Sequence, residues 1–128
     1  MSSESTLKSA LVKLARAAMP QAVILRHEDQ YTAGIPDISC THKGLTIWWE
    51  VKYARPAVRD RGIQHLTCRR LGTFGRCYYL VYQEKRGKKK TFIVHPNNLD
   101  EFEDSTQCIN GFNHKWVVQQ MEQAHDYK

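Results

Sequence analysis

The sequence predicts a mixed α/β (α+β) domain built around one central sheet, and three patterns carry that prediction. Apolar residues recur at helical spacing from Leu7 to Ala18, which is typical of an amphipathic helix. Residues 45–52 alternate as strand residues do, and residues 77–83 (CYYLVYQ) are rich in aromatic and β-branched side chains. A chain of 128 residues has the length of one domain, so we expect residues 1–128 to form a single domain.

The N-terminal half of the chain predicts one helix followed by three strands. Ser2 or Ser3 can cap the helix, and Pro20 marks its end. The strands are expected at residues 22–26, 35–41 and 45–52, with a tight turn at residues 42–44 between the last two. This half would therefore supply a helix and an antiparallel hairpin to the sheet.

The C-terminal half predicts a second helix, a second hairpin and a final helix. The elements are expected at residues 59–71 (helix), 77–83 (strand), 84–90 (basic turn, EKRGKKK), 91–95 (strand) and 115–124 (helix). Pro96 ends the last strand, and Asn97 or Asn98 is expected to cap a short acidic helix. The full order places the second helix between two groups of strands.

The charge balance indicates a polyanionic partner. The formal net charge is +6 and the isoelectric point is about 9.3, which favours nucleic acid or an anionic membrane surface. No apolar run approaches the roughly 20 residues that span a bilayer, and the N-terminal residues MSSESTLKSA lack the apolar segment of a signal peptide. Nucleic acid is therefore the favoured partner.

The four cysteines are scattered along the chain and are expected to be reduced thiols. His65, Cys68 and Cys77 are residue types that bind zinc, but their spacing matches no common zinc finger. The cysteines therefore predict neither a disulfide framework nor a metal centre.

Two carboxylates and an ammonium group are expected to meet on one face of the sheet. Glu50 and Lys52 lie two residues apart on one strand, so they share a face at a separation of about 6.6 Å. Asp37 lies on the neighbouring strand, about 4.8 Å away if the register aligns it with Glu50. Two carboxylates can hold Mg²⁺, and a lysine beside them can position an attacking water or stabilise developing charge.

Each of these residues also has an ordinary structural explanation. A Glu-x-Lys pair on a strand is usually a weak surface ion pair, and an aspartate after a proline is usually a turn residue. The combination favours chemistry because Asp37 and Glu50 lie on well-patterned strands joined by a short turn. Glu28 and Asp29 are rival acids upstream, and we expect them to be loop residues.

The residues Gly34-Ile35-Pro36-Asp37, followed after twelve residues by Glu50-Val51-Lys52, resemble the PD-(D/E)xK nuclease signature. The pattern is most similar to the VRR-NUC (virus-type replication-repair nuclease) branch. That branch also has a glutamate near the start of the first helix, here Glu4, and a glutamine on the helix after the signature, here Gln64. The resemblance extends over residues 3–82 and implies a restriction-endonuclease-like αβββαβ core with a mixed central sheet flanked by helices.

The resemblance implies a role for each matched residue. Asp37, Glu50 and the Val51 carbonyl would ligate Mg²⁺ or Mn²⁺, and Lys52 would act on the nucleophilic water. Glu4 would lie near the metal, although a first-turn glutamate also suits the helix dipole. Gln64 would orient water or phosphate, although it also reads as an exposed polar residue of an amphipathic helix.

Basic residues outside this centre are candidates for contacts with nucleic acid. The basic turn carries Lys85, Arg86, Lys88, Lys89 and Lys90, which could bind a phosphate backbone or form a solvated turn that resists aggregation. Further cations near the expected centre are Arg55 and Arg59, together with Arg61, Arg69 and Arg70. Trp48 shares the Glu50 face, where it could stack on a base or pack in the core.

The resulting hypothesis is a Mg²⁺-dependent endonuclease acting on DNA. So small a domain has little surface for reading base sequence, which favours branched DNA such as a Holliday junction. A junction has two strands to cut, so a symmetric homodimer is expected. Among family members the chain is most similar to phage-borne junction-cutting enzymes, which implies a cytoplasmic location, in the host cell if the chain is phage-encoded. The alternatives are a non-cleaving nucleic-acid-binding module and a structural subunit of a replication or repair complex.

Overall fold

The computed structural model describes residues 3–27, 34–54 and 62–126, which form one six-stranded sheet with helices on both faces. The strands lie in the sheet in chain order. They are β1 (Val23–Arg26), β2 (Ile38–His42), β3 (Leu45–Ala54), β4 (Cys77–Lys85), β5 (Lys88–Val94) and β6 (Cys108–Asn110). Neighbouring strands are antiparallel except β3 and β4, which are parallel. The sheet is therefore mixed.

Four helical segments complete the described fold. They are α1 (Glu4–Ala18), α2 (Ile63–Thr73), a 3-10 helix (Pro96–Asp104) and α3 (His114–Ala124). The helix α2 belongs to the crossover between β3 and β4, which parallel strands require. Ser3 caps α1 by accepting a hydrogen bond from the Thr6 N–H at 3.2 Å, as its position in the sequence predicts.

Each face of the sheet has its own apolar core. On one face, Ile47, Trp49 and Val51 of β3 pack with buried residues of α1 and α3. On the other face, residues of β4 and β5 pack with Cys68 of α2 and Phe102 of the 3-10 helix. We call this second face the α2 face. Because successive strand residues alternate in direction, Glu50 and Lys52 point to the α2 face.

The observed order confirms the predicted fold class, and both predicted hairpins, β2–β3 and β4–β5, are present. The turn between β2 and β3 is made by Lys43 and Gly44, both at positive φ (54° and 76°), which is the backbone of a tight two-residue hairpin. The strand β3 continues two residues beyond its predicted end, to Ala54.

Two local predictions are wrong, and one strand was missed. Residues 84–90 are mostly strand rather than turn, because Arg86 and Gly87 alone reverse the chain, both at positive φ (53° and 75°). The acidic segment is a 3-10 helix capped by the His95 side chain, which accepts from the Asn97 N–H at 3.1 Å. The short strand β6, which pairs with β5, was not predicted.

Two further properties concern the cysteines and the helices. Cys40, Cys68, Cys77 and Cys108 are free, as the sequence predicts. Within the part of the chain that the structure describes, none of the helices has the length and apolar character that crossing a membrane requires.

Candidate active site

The register between β2 and β3 places Asp37 opposite Glu50. Ile38, the first residue of β2, is paired with Trp49, so Asp37, which comes just before β2, faces Glu50, the next residue of β3. The Asp37 backbone N–H donates a hydrogen bond to Glu50 Oε1 at 2.9 Å. The two carboxylates predicted from the sequence are therefore brought together at the end of the β2–β3 hairpin.

Three donors hold the remaining carboxylate oxygens. The Val51 N–H donates to Asp37 Oδ2 at 2.9 Å. The Lys52 ammonium lies 3.3 Å from Glu50 Oε2, and the Lys8 ammonium lies 3.1 Å from Asp37 Oδ1. Each of the four oxygens thus has a hydrogen-bond donor or a cation beside it. We call these residues, with Glu50, the carboxylate site.

Burial and mutual repulsion make the carboxylate site electrostatically strained. Glu50 is 1% exposed and Asp37 is 9% exposed. Burial, followed by the negative charge of Asp37, raises the pKa of Glu50 to about 9, and the Lys52 ammonium offsets only part of that rise. A second positive charge beside Glu50 would therefore favour its ionised form.

The segment that carries Asp37 is held against α2. Gly34 has a φ of 90°, and a Cβ built on it would lie 2.8 Å from both Ile63 Cγ2 and Thr67 Oγ1. Only glycine fits this close approach at positive φ. The Gln64 side chain of α2 donates to the Ile35 carbonyl at 3.1 Å. Gln64 thus lies beside the site segment, where it contacts backbone.

Glu4 lies at the start of α1 and reaches the end of β3. Its Oε1 accepts a hydrogen bond from the Tyr53 N–H at 3.0 Å, and the Tyr53 hydroxyl donates to Glu84 Oε1 at 2.7 Å. Glu4 therefore attaches the first turn of α1 beside Lys52. Its role near a metal stays a prediction.

The donor set at the carboxylate site fits a divalent cation of the Mg²⁺ or Mn²⁺ type. Two adjacent carboxylates that repel each other are oxygen donors whose charge such a cation would neutralise. Across residues 3–27, 34–54 and 62–126, the structure contains no group of three or more His, Cys, Asp or Glu residues placed to hold a metal ion. The carboxylates would therefore need backbone oxygen, such as the Val51 carbonyl, and water to complete the coordination.

Two other side-chain clusters lie on the α2 face near the carboxylate site. His27 Nε2 is 2.8 Å from the Ser39 hydroxyl, and the His27 ring lies 5.0 Å from the ring of Trp48. His65 Nδ1 is 2.9 Å from the Tyr79 hydroxyl. Trp48 packs against the core of this face, which is the alternative to base stacking considered above.

The basic hairpin, defined as residues 85–90, extends beyond the carboxylate site along the sheet. Lys52 is paired with Val81 on β4. Lys85 comes four residues after Val81, which places it about 13 Å further along that strand. Strand alternation places Lys85, Lys88 and Lys90 on the α2 face, whereas Lys89 lies on the opposite face. There its ammonium is 5.1 Å from the ring centre of Phe112.

A cavity of about 720 Å³ lies against the basic hairpin. Lys85 at its edge is also 3.4 Å from Glu103 Oε2 of the 3-10 helix. The cavity is lined by Gln83, Lys85, Arg86, Lys88, Lys89, Lys90, Glu103 and Asn110. Most of this lining is cationic or amide, which is the chemistry that binds phosphate oxygens.

Some predicted residues lie outside the described residues, and one contributing residue was missed. Arg55 and Arg59 fall outside the described ranges, as do the rival acids Glu28 and Asp29. Lys8 was missed because an isolated lysine on an amphipathic helix reads as a solvated residue. Its position four residues after Glu4, on the same side of α1, is the signal that could have found it.

The structure is similar to that of a Holliday junction resolvase. That neighbour is Hjc from the archaeal hyperthermophile Archaeoglobus fulgidus, with a TM-score of 0.53 and 13% sequence identity, and the match covers 94% of this chain and 98% of that one. At this identity the likeness establishes the fold, which is restriction-endonuclease-like. No protein-family model matches the sequence, and no curated protein matches it either. The VRR-NUC assignment therefore stays a prediction.

Proposed function

We propose that this protein is a metal-dependent DNA endonuclease that hydrolyses phosphodiester bonds. One observation carries the proposal: the Asp37 backbone N–H donates to Glu50 Oε1 at 2.9 Å, and the Lys52 ammonium lies 3.3 Å from Glu50 Oε2. The same three residue types form the signature noted in the sequence. The similarity of the fold to a resolvase supports this reading.

Each residue has a distinct part in the proposed reaction. Asp37, Glu50 and the Val51 carbonyl would hold Mg²⁺ or Mn²⁺, which when bound neutralises phosphate charge and activates water. Lys52 would orient the attacking water or stabilise charge that develops on the phosphate. Gln64 would keep the Asp37 segment in place through its bond to the Ile35 carbonyl. Glu4 would hold the start of α1 over the end of β3, and it remains a candidate metal neighbour.

We propose that the basic hairpin binds the DNA backbone beyond the scissile bond. It lies along the same two central strands as the carboxylate site, and five of its six residues are cations. Each phosphate that it neutralises would steepen the salt dependence of binding by about one counterion. Arg55 and Arg59 stay candidates for the same role.

Branched DNA, including a four-way junction, is the substrate class that we propose. The resolvase whose fold this chain shares acts on Holliday junctions, as its name states. A symmetric junction presents two equivalent strands, so a homodimer would place one carboxylate site at each. The exposed side chains of Val23 and Leu25 on the outer strand β1 offer apolar surface for such an interface. Light scattering of the purified chain tests it, and a monomer at micromolar concentration would contradict it.

The second candidate is a module that binds nucleic acid without cleaving it, and the basic hairpin is the feature that favours it. Binding alone does not call for two buried carboxylates beside a polyanion. A structural subunit of a replication or repair complex would likewise not require the carboxylate site. Metal dependence therefore separates these candidates from the nuclease.

The test is cleavage of labelled four-way junction, flap, single-stranded and duplex DNA, with and without Mg²⁺ or Mn²⁺. We expect metal-dependent cutting of the branched substrates, and a loss of about 100- to 1000-fold in Lys52→Ala, the scale of removing a charge-stabilising group from an active site. Arg76→Ala serves as a control for the loss of one positive charge. Salt-sensitive binding without cutting under any of these conditions would favour the binding module.

A further inference from the structure

Lys8 is a second lysine of the carboxylate site, contributed by α1. Its ammonium lies 3.1 Å from Asp37 Oδ1, and the two side chains are only 17% and 12% exposed. Water and salt therefore screen this ion pair less than an exposed pair. The partners are 29 positions apart in the chain, so the contact depends on how α1 docks on the sheet.

Two kinds of group hold the carboxylate oxygens, and they differ in mobility. Asp37 Oδ2 and Glu50 Oε1 accept from backbone N–H groups, which the β2–β3 hairpin keeps in place. Asp37 Oδ1 and Glu50 Oε2 face the ammonium groups of Lys8 and Lys52, which sit on long side chains. The two oxygens whose contacts a metal ion can most readily replace are therefore the two beside the lysines.

The charges point to the same conclusion. Two ammonium groups, one beside each carboxylate, carry the same total charge as one divalent cation. A divalent cation that binds Asp37 Oδ1 would meet the Lys8 ammonium at that oxygen, and like charges at such distances repel strongly where water is largely excluded. The metal ion and the Lys8 ammonium therefore cannot both stay in close contact with Asp37 Oδ1.

We propose that Lys8 is a positioning residue that neutralises Asp37 in the metal-free protein and that a divalent cation must displace. This role rests on the proposed metal site and adds a residue that opposes its occupation. Lys8 therefore lowers the affinity of the site for metal, and it keeps the buried Asp37 carboxylate paired until metal arrives.

Among the described residues, two arginines on or beside α1 are engaged elsewhere. Arg16 of α1 donates to the Ile24 carbonyl at 2.7 and 3.1 Å. Arg26 of β1 reaches serine hydroxyls of α1 at 2.6 and 2.9 Å. Lys13 is exposed on the same helix, which makes it a matched control for the loss of one lysine from α1.

The experiment is calorimetric titration of the DNA-free, full-length protein with Mn²⁺, comparing wild type with Lys8→Met. Methionine keeps the length and apolar character of the lysine stem while removing its charge. We expect Lys8→Met to bind Mn²⁺ about tenfold more tightly, which is a modest effect for removing one nearby like charge. Lys8→Arg should stay within about twofold of wild type because it keeps the charge, and Lys13→Met should do the same.

An unchanged or weaker Mn²⁺ affinity in Lys8→Met would overturn the proposal, as would equal tightening in Lys13→Met. Circular dichroism of each variant confirms that it is folded, and Lys8→Gln repeats the charge removal with a different side chain. If wild type binds Mn²⁺ and Asp37→Asn does not, a failure at Lys8 leaves the proposed function intact. If wild type binds no Mn²⁺ at all, the metal site fails and the role of Lys8 fails with it.

Discussion

The carboxylate site and the basic hairpin are both rich in charge, but they are built in opposite ways. The carboxylate site draws its residues from α1, β3 and the residue just before β2, and the positions of Lys8 and Asp37 are 29 apart. The basic hairpin is one continuous stretch of six residues, all of them exposed. Folding is therefore needed to create the first, whereas the second needs only a hairpin that presents it.

The two regions also differ in the free-energy cost of holding their charges in the folded protein. Glu50 is 1% exposed beside Asp37, and burial together with that neighbour raises its pKa to about 9. The lysines of the basic hairpin stand in water, where separated charges interact weakly. A buried site that is costly in the metal-free protein is characteristic of function, and removing its charge should stabilise the fold while destroying activity.

The largest expected effect is that of Glu50→Gln, which gives the site a permanently neutral side chain. We expect it to lower metal-dependent cleavage by at least about 1000-fold, because one of the two carboxylates that we propose as metal ligands is lost. It should also raise stability at high pH. The folded-state pKa of about 9 lies above the ordinary value of 4.5, so wild type loses stability progressively as pH rises from about 4.5 to about 9, whereas glutamine does not ionise.

The measurement is urea unfolding of both proteins in EDTA at pH 5, 7 and 9. The stability difference in favour of Glu50→Gln should grow with pH and exceed about 2 kcal/mol at pH 9, since one pKa unit corresponds to about 1.4 kcal/mol. Glu103→Gln, an exposed glutamate, is the matched control and should show no such trend. A difference that is constant with pH would contradict the electrostatic account of the site.

The basic hairpin offers the next largest effect, and strand alternation makes it specific to one face. Lys88 and Lys90 point to the α2 face with Glu50, whereas Lys89 points away and lies over Phe112. We expect Lys88→Ala/Lys90→Ala to weaken binding of a four-way junction about tenfold and to reduce the salt slope by about two counterions. Binding is measured by fluorescence anisotropy in Ca²⁺ at several salt concentrations.

Lys89→Ala is the comparison for that prediction. Lys89 also lines the cavity, but its ammonium lies over Phe112 on the opposite face, so binding should change by less than about threefold, with a salt slope close to that of wild type. An equal loss for Lys89→Ala and for a single Lys88→Ala would mean that the basic hairpin acts through net charge alone. In that case the face of the sheet would not matter.

The smallest expected effect is that of Glu4→Gln, which separates helix docking from metal binding. Glutamine keeps an oxygen that can accept from the Tyr53 N–H, the contact that Glu4 makes at 3.0 Å. If docking is its task, cleavage should fall by no more than about threefold, and Glu4→Ala should cost more. A loss of 100-fold or more in Glu4→Gln, measured with saturating Mg²⁺, would instead make Glu4 a metal ligand.

The periodicity of the sequence predicted most of the fold because the central elements are long and well patterned. The strand β3 is an example, since its buried residues Ile47, Trp49 and Val51 alternate with those of the α2 face. The three-residue strand β6 carries too short a pattern to recognise. The basic hairpin was taken for a turn because lysine is uncommon in strands, although exposed strand ends tolerate it.

The carboxylate site was predictable only in part. Asp37, Glu50 and Lys52 follow a spacing that strands convert into proximity, and the register confirms that proximity. Lys8 has no such pattern, because its contact depends on the angle at which α1 crosses the sheet. The glycine at position 34 could be seen in the sequence, but the close approach of α2 that requires it could not.

The measurement that tests the central claim most directly follows Mn²⁺ binding and junction cleavage together in wild type and Asp37→Asn. Asparagine keeps the shape of the side chain and an oxygen for the Val51 N–H, and it removes the charge. If the carboxylate site is the active centre of a nuclease, wild type binds Mn²⁺ and cuts the junction, and Asp37→Asn loses both while remaining folded and DNA-bound. If Asp37→Asn retains both activities, or if wild type has neither, the carboxylate site is not a nuclease centre.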